Sequence, residues 1–245
     1  MERIDIDREL QEGRSAAEAF ERLGQILDRL RKECPWDRKQ TMKSLRYLTI
    51  EEVHELSEAI VEIESREAEA SDVSRADLNA QLKKELGDLA MHILFYCKIA
   101  EEEGRFTTAD VYNAICDKLV DRHPFVYRKE DYHGESWEQL KMREGRKDVL
   151  EGVPDSLPSL VKAVRMQEKV AGMEAKGDEK RASDGGCGIS ALGTQFIELG
   201  SHPSEAAFGD LLFALVDWGR RHGINADDAL CGANLRFKKA HSQER

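Results

Sequence analysis

The 245-residue sequence has little of the material from which sheets and disulfide frameworks are built. Aromatic residues make up 7%, prolines number five, and strand-like runs of β-branched residues are missing. Helices with one apolar face are then the remaining way to bury a core, so the fold class read here is all-α. The cysteines (Cys34, Cys97, Cys116, Cys187 and Cys231) are odd in number and form no C-x-x-C pair. That argues against a zinc site or a disulfide framework and leaves reduced, buried thiols as the expectation. No window is apolar for long enough to span a bilayer, and MERIDIDREL at the start has no signal core. A cytoplasmic protein with no membrane partner is expected. The chain also lacks a basic balance, its net charge being -11. Duplex nucleic acid is therefore not an expected partner. A phosphorylated small molecule is still compatible, because a bound metal inverts the local field.

What is present is helical pattern: 40% hydrophobic and 35% charged residues, separated by turn signals. Residues 1–14 are polar and expected to fray. Ser15 with Glu18 forms a capping-box pair, and Phe20, Leu23, Ile26, Leu27 and Leu30 make one stripe before Pro35 ends the helix. In the loop that follows, Trp36 packs down as a lid or stacks on a planar ligand such as a base; the loop alone favours the lid. A second helix runs from about Ser44 to Glu64, with Leu48, Val53, Leu56, Ile60 and Ile63 inward. The polar stretch 65–80 reads as a loop or a solvated helical extension. A third helix, about Asp77 to Glu103, carries Leu82, Leu86, Leu89, Ile93 and Ala100, and Gly104 caps it. A fourth starts at Thr107 or Thr108, turns Val111, Ile115, Leu119 and Val120 inward, and ends at His123-Pro124. Four such helices make a bundle.

Residues 128–155 read as a polar connector with a short helix near Trp137 to Arg146. Another helix begins at Ser156-Leu157-Pro158, with Leu160, Val164 and Val170 inward. Residues 174–188 read as a flexible break, followed by two helices at about 204–222 and 226–241. Their apolar positions are Phe208, Leu211, Leu212, Leu215, Val216 and Trp218, then Leu230 and Phe237. A weak internal repeat relates the halves. Glu85-Leu86-Gly87-Asp88-Leu89-Ala90 resembles Ala207-Phe208-Gly209-Asp210-Leu211-Leu212, and Gly104 and Gly223 follow at like distances. Thr194 to Glu198 stands where Glu51 to Glu55 does. Ala207 replaces Glu85, so of the acids only Glu198 and Asp210 survive.

The chemistry-bearing constellation is Glu51-Glu52-x-x-Glu55 on the second helix and Glu85-x-x-Asp88 on the third. Residues three apart share a helix face, so two antiparallel helices bring four carboxylates to one point. Hard oxygen donors of this kind suit Mg²⁺ or Mn²⁺, and such an ion commonly grips a phosphate. A solvated acidic face is the bland alternative. Against it stand few cations for the acids to pair with and Gly87 in mid-helix, which suggests that another backbone packs close. Glu51 with His54 forms Glu-x-x-His, the pair used by carboxylate-bridged di-iron bundles, but no second such pair follows. His54 and His92 read as core or supporting histidines rather than ligands.

These segments resemble the MazG-type nucleoside triphosphate pyrophosphohydrolases. The resemblance rests on the acidic set, on Cys34-Pro35-Trp36-Asp37 with Gln40-Thr41, on Glu85-Leu86-Gly87-Asp88-Leu89 and on Glu101 to Phe106. It extends through Asp117-Lys118-Leu119, Arg122-His123-Pro124, Trp137 to Lys141 and Val153-Pro154 to Gln167. It covers about residues 15–170. The resemblance implies an all-α, tandem arrangement: a MazG-like four-helix domain at 15–127, the connector 128–155, and a degenerate MazG-like copy at 156–245. It implies a homodimer and Mg²⁺-dependent hydrolysis of NTP or dNTP at the α–β bond to NMP and pyrophosphate, a nucleotide-pool role, with Mn²⁺ as a substitute ion. Carried over, Glu52, Glu55, Glu85 and Asp88 bind metal, and Glu51 and Glu52 are the catalytic acids. Lys118 and Arg122 neutralise triphosphate charge, and Trp36 shapes the base pocket. The sequence departs from the family in the 29 residues between Glu55 and Glu85, a long spacing, and in the lost acids of the second half. The alternative these losses imply is an impaired, nucleotide-binding or regulatory scaffold.

Overall fold

The computed structural model describes residues 15–69, 75–129, 137–143, 145, 147–174 and 188–242. The expectations for 1–14 and for 175–187 lie outside them. Among the described residues every regular element is helical, with no strand. The chain divides into two compact units, Met1–Tyr127 and Arg128–Arg245.

The first unit begins with α1 (Ala16–Glu33), whose Ser15 hydroxyl accepts from the Glu18 amide while the Glu18 carboxylate accepts from Ser15. Helix α2 (Met42–Glu69) and helix α3 (Arg75–Glu102) each have 28 residues, roughly 42 Å of rise. They pack along each other and are joined by a short connection, which makes them antiparallel. Most of the expected polar insertion is thus helix that lengthens this hairpin. Helix α4 (Thr108–Arg122) opens on a second capping box, Thr107 with Asp110, and α5 (Pro124–Tyr127) is a single turn. Gly104 ends α3 with φ +65°, the left-handed conformation that favours glycine.

The core is set where α1, α2 and α3 meet, around Leu27, Leu45, Leu94, Phe95 and Ile99. This differs from the expected stripes. Val53 and Ile60 of α2 and Leu86 and Ile93 of α3 are exposed, while Leu45 and Ala59 of α2 are buried in their place. Ile115 and Leu119 of α4, Phe20 and Leu30 of α1 and Val170 are likewise exposed. Each long helix carries two apolar faces, and its partners within the chain cover only one. Of the thiols, Cys97 is buried, Cys34 half-buried, and Cys116 and Cys231 exposed, all free; Cys187 lies outside the described residues. The small thiol side chain needs no burial on a helix surface, so only Cys97, on the core face of α3, meets the expectation.

Arg31 fastens the loop after α1. Its guanidinium donates to the carbonyls of Asp37 and Gln40, pairs with Glu102 at the end of α3, and lies over the Phe95 ring. Nearby, Glu101 accepts from both the amide and the hydroxyl of Thr108, at 2.7 and 2.8 Å, tying α3 to the start of α4.

In the second unit, α6 (Trp137–Arg143) packs on α7 (Ser159–Glu174). Buried Lys169 of α7 donates to Glu138 and to the carbonyls of Val149 and Glu151, so the segment read as a connector is fastened onto α7. Burial opposes the Glu138 carboxylate, but hydrogen bonds from Lys141 and Lys169 outweigh it and hold its pKa below the ordinary value. Helices α8 (Ile189–Ser201), α9 (Glu205–Arg221) and α10 (Ala226–Ser242) follow. Helix α8 was not expected: its polar Thr194, Gln195 and Glu198 dilute the apolar period. Leu211 and Val216 of α9 are buried, whereas Phe208, Leu212, Leu215, Leu230 and Phe237 are exposed. Gly223 ends α9 with φ +71°, as Gly104 ends α3.

Replacing Arg31 by Leu strands two loop carbonyls and should cost about 2 kcal/mol in urea unfolding. The pKa of Glu102 is lowered by its hydrogen bond from Arg31, and that of Glu101 by its bonds from Thr108. Both carboxylates therefore contribute stability above the ordinary glutamate pKa. That contribution is lost as pH falls from there through the lowered values. The Arg31→Leu variant should show a shallower loss over this acid range than the parent.

Candidate metal centre

The α2–α3 hairpin sets the site. Glu52 lies on α2; Glu85 and Asp88 lie one turn apart on α3. One carboxylate oxygen from each falls within 4.8 Å of the others. Glu85 is buried and the other two are half-buried. Glu52 has its pKa raised, chiefly by desolvation, then by the neighbouring charges of Asp88 and Glu55; Lys84 works the other way. Three converging carboxylates that repel one another are stabilised by a nearby cation.

The fourth expected ligand, Glu55, is not part of this triad. Its carboxylate lies 3.8 Å from the Lys84 ammonium, which is also 3.0 Å from Glu85 and 3.6 Å from Asp88. Lys84 therefore sets a positive charge against two of the three acids, Glu85 and Asp88, and against Glu55. The sequence reading of acids with few cations missed it, although Lys84 and Asp88 are an i,i+4 pair on α3; its reach to Glu55 of α2 is what the local pattern does not show. An oxygen-only donor set fits a hard divalent ion.

The remaining candidates are placed as follows. Glu51 and His54 are exposed and outside the triad, so the Glu-x-x-His pair forms no centre among the described residues. His92 is buried. The Thr49 hydroxyl donates to the Leu45 carbonyl, which leaves its lone pairs for His92 Nδ1 at 2.8 Å and the Tyr96 hydroxyl at 2.7 Å. Desolvation lowers the His92 pKa against the pull of Asp88, so the ring is a neutral core group, as expected. Lys118 is exposed on α4 and Arg122, at its end, is buried. Trp36 is 54% exposed and so does not pack down as a lid. Gly87 also departs from its expectation: a Cβ there would meet nothing within 4 Å, so no backbone among the described residues packs against it.

Helices carrying facing carboxylate pairs define a class of metal-binding helical proteins. Residues 40–127 match the MazG nucleotide pyrophosphohydrolase domain. The chain is 32% identical over 248 residues to the nucleoside triphosphate pyrophosphohydrolase of Escherichia coli K12, covering 90% of this chain and 84% of that protein. It is 33% identical over 231 residues to the nucleoside triphosphate pyrophosphohydrolase/pyrophosphatase MazG of Thermotoga maritima, covering 89% and 82%. Similarity to the Bacillus subtilis protein YabN is 34% over 220 residues, 85% of this chain but 42% of that one. The chain belongs to the MazG nucleotide pyrophosphohydrolase family. All the acids, Lys118 and Arg122 fall inside the matched domain, and Trp36 lies just before it.

Lys84→Met removes the internal competitor for the site, so Mn²⁺ should bind several-fold more tightly by calorimetry. Glu85→Gln should weaken it by about tenfold or more.

Proposed function

We propose that this protein hydrolyses nucleoside triphosphates, ribo- or deoxyribo-, to the monophosphate and pyrophosphate, using the acids of the first unit and Mg²⁺. The observation that carries this reading is the convergence of Glu52, Glu85 and Asp88, two of which also face the Lys84 ammonium. Glu52, Glu85 and Asp88 would hold the ion, and Glu55 would join them when Lys84 swings away. A bound Mg²⁺ supplies a water of lowered pKa and neutralises phosphate charge. Water oxygen attacks the α-phosphorus, the bond to the α–β bridging oxygen breaks, and pyrophosphate leaves with that electron pair. Glu51, exposed and outside the triad, orients the water; the carboxylates Glu51 and Glu52 provide the acceptor for its proton. Lys118 and Arg122 balance triphosphate charge from α4, and exposed Trp36 offers its ring to the base. The second unit acts as a degenerate copy, since Ala207 and Gln195 stand where Glu85 and Glu52 do. No helix among the described residues is long and apolar enough to cross a membrane, and a nucleotide-pool role fits a cytoplasmic setting.

The working form is a homodimer. Ile50, Val53 and Ile60 on α2, with Leu86 and Ile93 on α3, leave an exposed apolar face on the hairpin, and the open space over Gly87 lies beside Leu86. A face of this kind is a surface for a second chain. The family resemblance makes that chain another copy.

Pyrophosphate release from a panel of NTPs and dNTPs should require Mg²⁺ and cease in EDTA. Glu52→Gln and Asp88→Asn should each lower turnover at least about 100-fold with helicity retained. Unchanged turnover in either variant removes the assignment. Light scattering should give a dimer for the parent, and Ile60→Glu or Ile93→Glu should shift it toward monomer.

A further inference from the structure

One turn from the acidic triad, a single hydroxyl of α2 meets two side chains of α3. Thr49 stands three residues before Glu52, and His92 four residues after Asp88, so each shares a helix face with a member of the triad. Because the helices are antiparallel, both lie on the side of the triad that leads to Leu45, Leu94 and Phe95.

Thr49 Oγ1 lies 3.0 Å from the Leu45 carbonyl, 2.8 Å from His92 Nδ1 and 2.7 Å from the Tyr96 hydroxyl. A carbonyl only accepts, so the one hydroxyl proton of Thr49 goes to Leu45. Both lone pairs of its oxygen then receive donors, the N–H of His92 and the O–H of Tyr96. His92 is 4% exposed, and Thr49 and Tyr96 are half-buried. Donors in such a place are costly to leave without an acceptor.

What these bonds add to the hairpin is direction. The apolar core brings the helices into register, but apolar contact is non-directional and tolerates small slides. Two hydrogen bonds that converge on one atom do not. The triad depends on this, since its carboxylates repel one another across the α2–α3 seam and a small divalent ion accepts oxygens only within narrow limits.

We propose that Thr49, with His92 and Tyr96, is a positioning group of the metal centre: it locks α2 on α3 so that Glu52 stands opposite Glu85 and Asp88 at metal-binding distance. The group acts through Glu52 and Asp88 rather than on the ion. The inference rests on reading the triad as a metal site and does not require turnover.

The test is calorimetric titration of Mn²⁺ into the full chain without nucleotide. Thr49→Val keeps the side-chain shape and leaves two donors without their acceptor, so affinity should fall about tenfold or more with helicity unchanged. Thr49→Ser keeps the hydroxyl and should bind as the parent does. Tyr96→Phe loses one of the two bonds and should weaken binding several-fold. Arg31→Leu disturbs the far side of the same core and should leave Mn²⁺ affinity unchanged, which separates positioning from general loss of stability. Parent affinity in Thr49→Val, or in Tyr96→Phe should the valine variant not fold, overturns the proposal. So does an equal loss in Arg31→Leu. A parent chain that binds no Mn²⁺ overturns it together with the metal centre, whereas one that binds Mn²⁺ and releases no pyrophosphate overturns the proposed function alone.

Discussion

Three carboxylates held within 4.8 Å of one another are an unfavourable arrangement until a positive charge joins them. The ammonium of Lys84 offsets part of this, lying close to two of them, Glu85 and Asp88, and to Glu55. The two long helices supply the rigidity that keeps the acids converged, and the Leu27, Leu45 and Phe95 core fixes their register. Arg31 then holds the loop carrying Trp36 against the same core.

Much of this was legible in the chain. The Ser15–Glu18 and Thr107–Asp110 helix starts and the Gly104 stop are local chemistry, complete within four or five residues. The convergence of Glu52, Glu85 and Asp88 followed from i,i+3 spacing and an antiparallel hairpin. Periodicity does not say which of two apolar faces meets a partner. Hence Val53, Ile60, Leu86 and Ile93 were read inward and are exposed, while Leu45 and Ala59 fill the core. Lys84 was missed although Glu85 and Asp88 are its i+1 and i+4 neighbours; only its reach to Glu55, 29 positions away on the other helix, leaves no mark on local pattern. Helix α8 escaped because its polar residues interrupt the period, and those are the residues that repeat the acids of α2.

The two units follow a common plan, a helix packed on a helical pair with a fourth helix after a left-handed glycine. They differ in what the plan encloses. The first surrounds crowded acids. The second surrounds neutral amides and an apolar wall, with its carboxylate Asp217 balanced by two arginines.

The most direct test of the central claim is a crystal structure grown with Mn²⁺, the ion located by anomalous scattering. The account predicts a peak at about 2.1 Å from oxygens of Glu52, Glu85 and Asp88, with the Lys84 ammonium displaced. A structure in which Lys84 stays among the acids and no ion binds there at millimolar Mn²⁺ would contradict it.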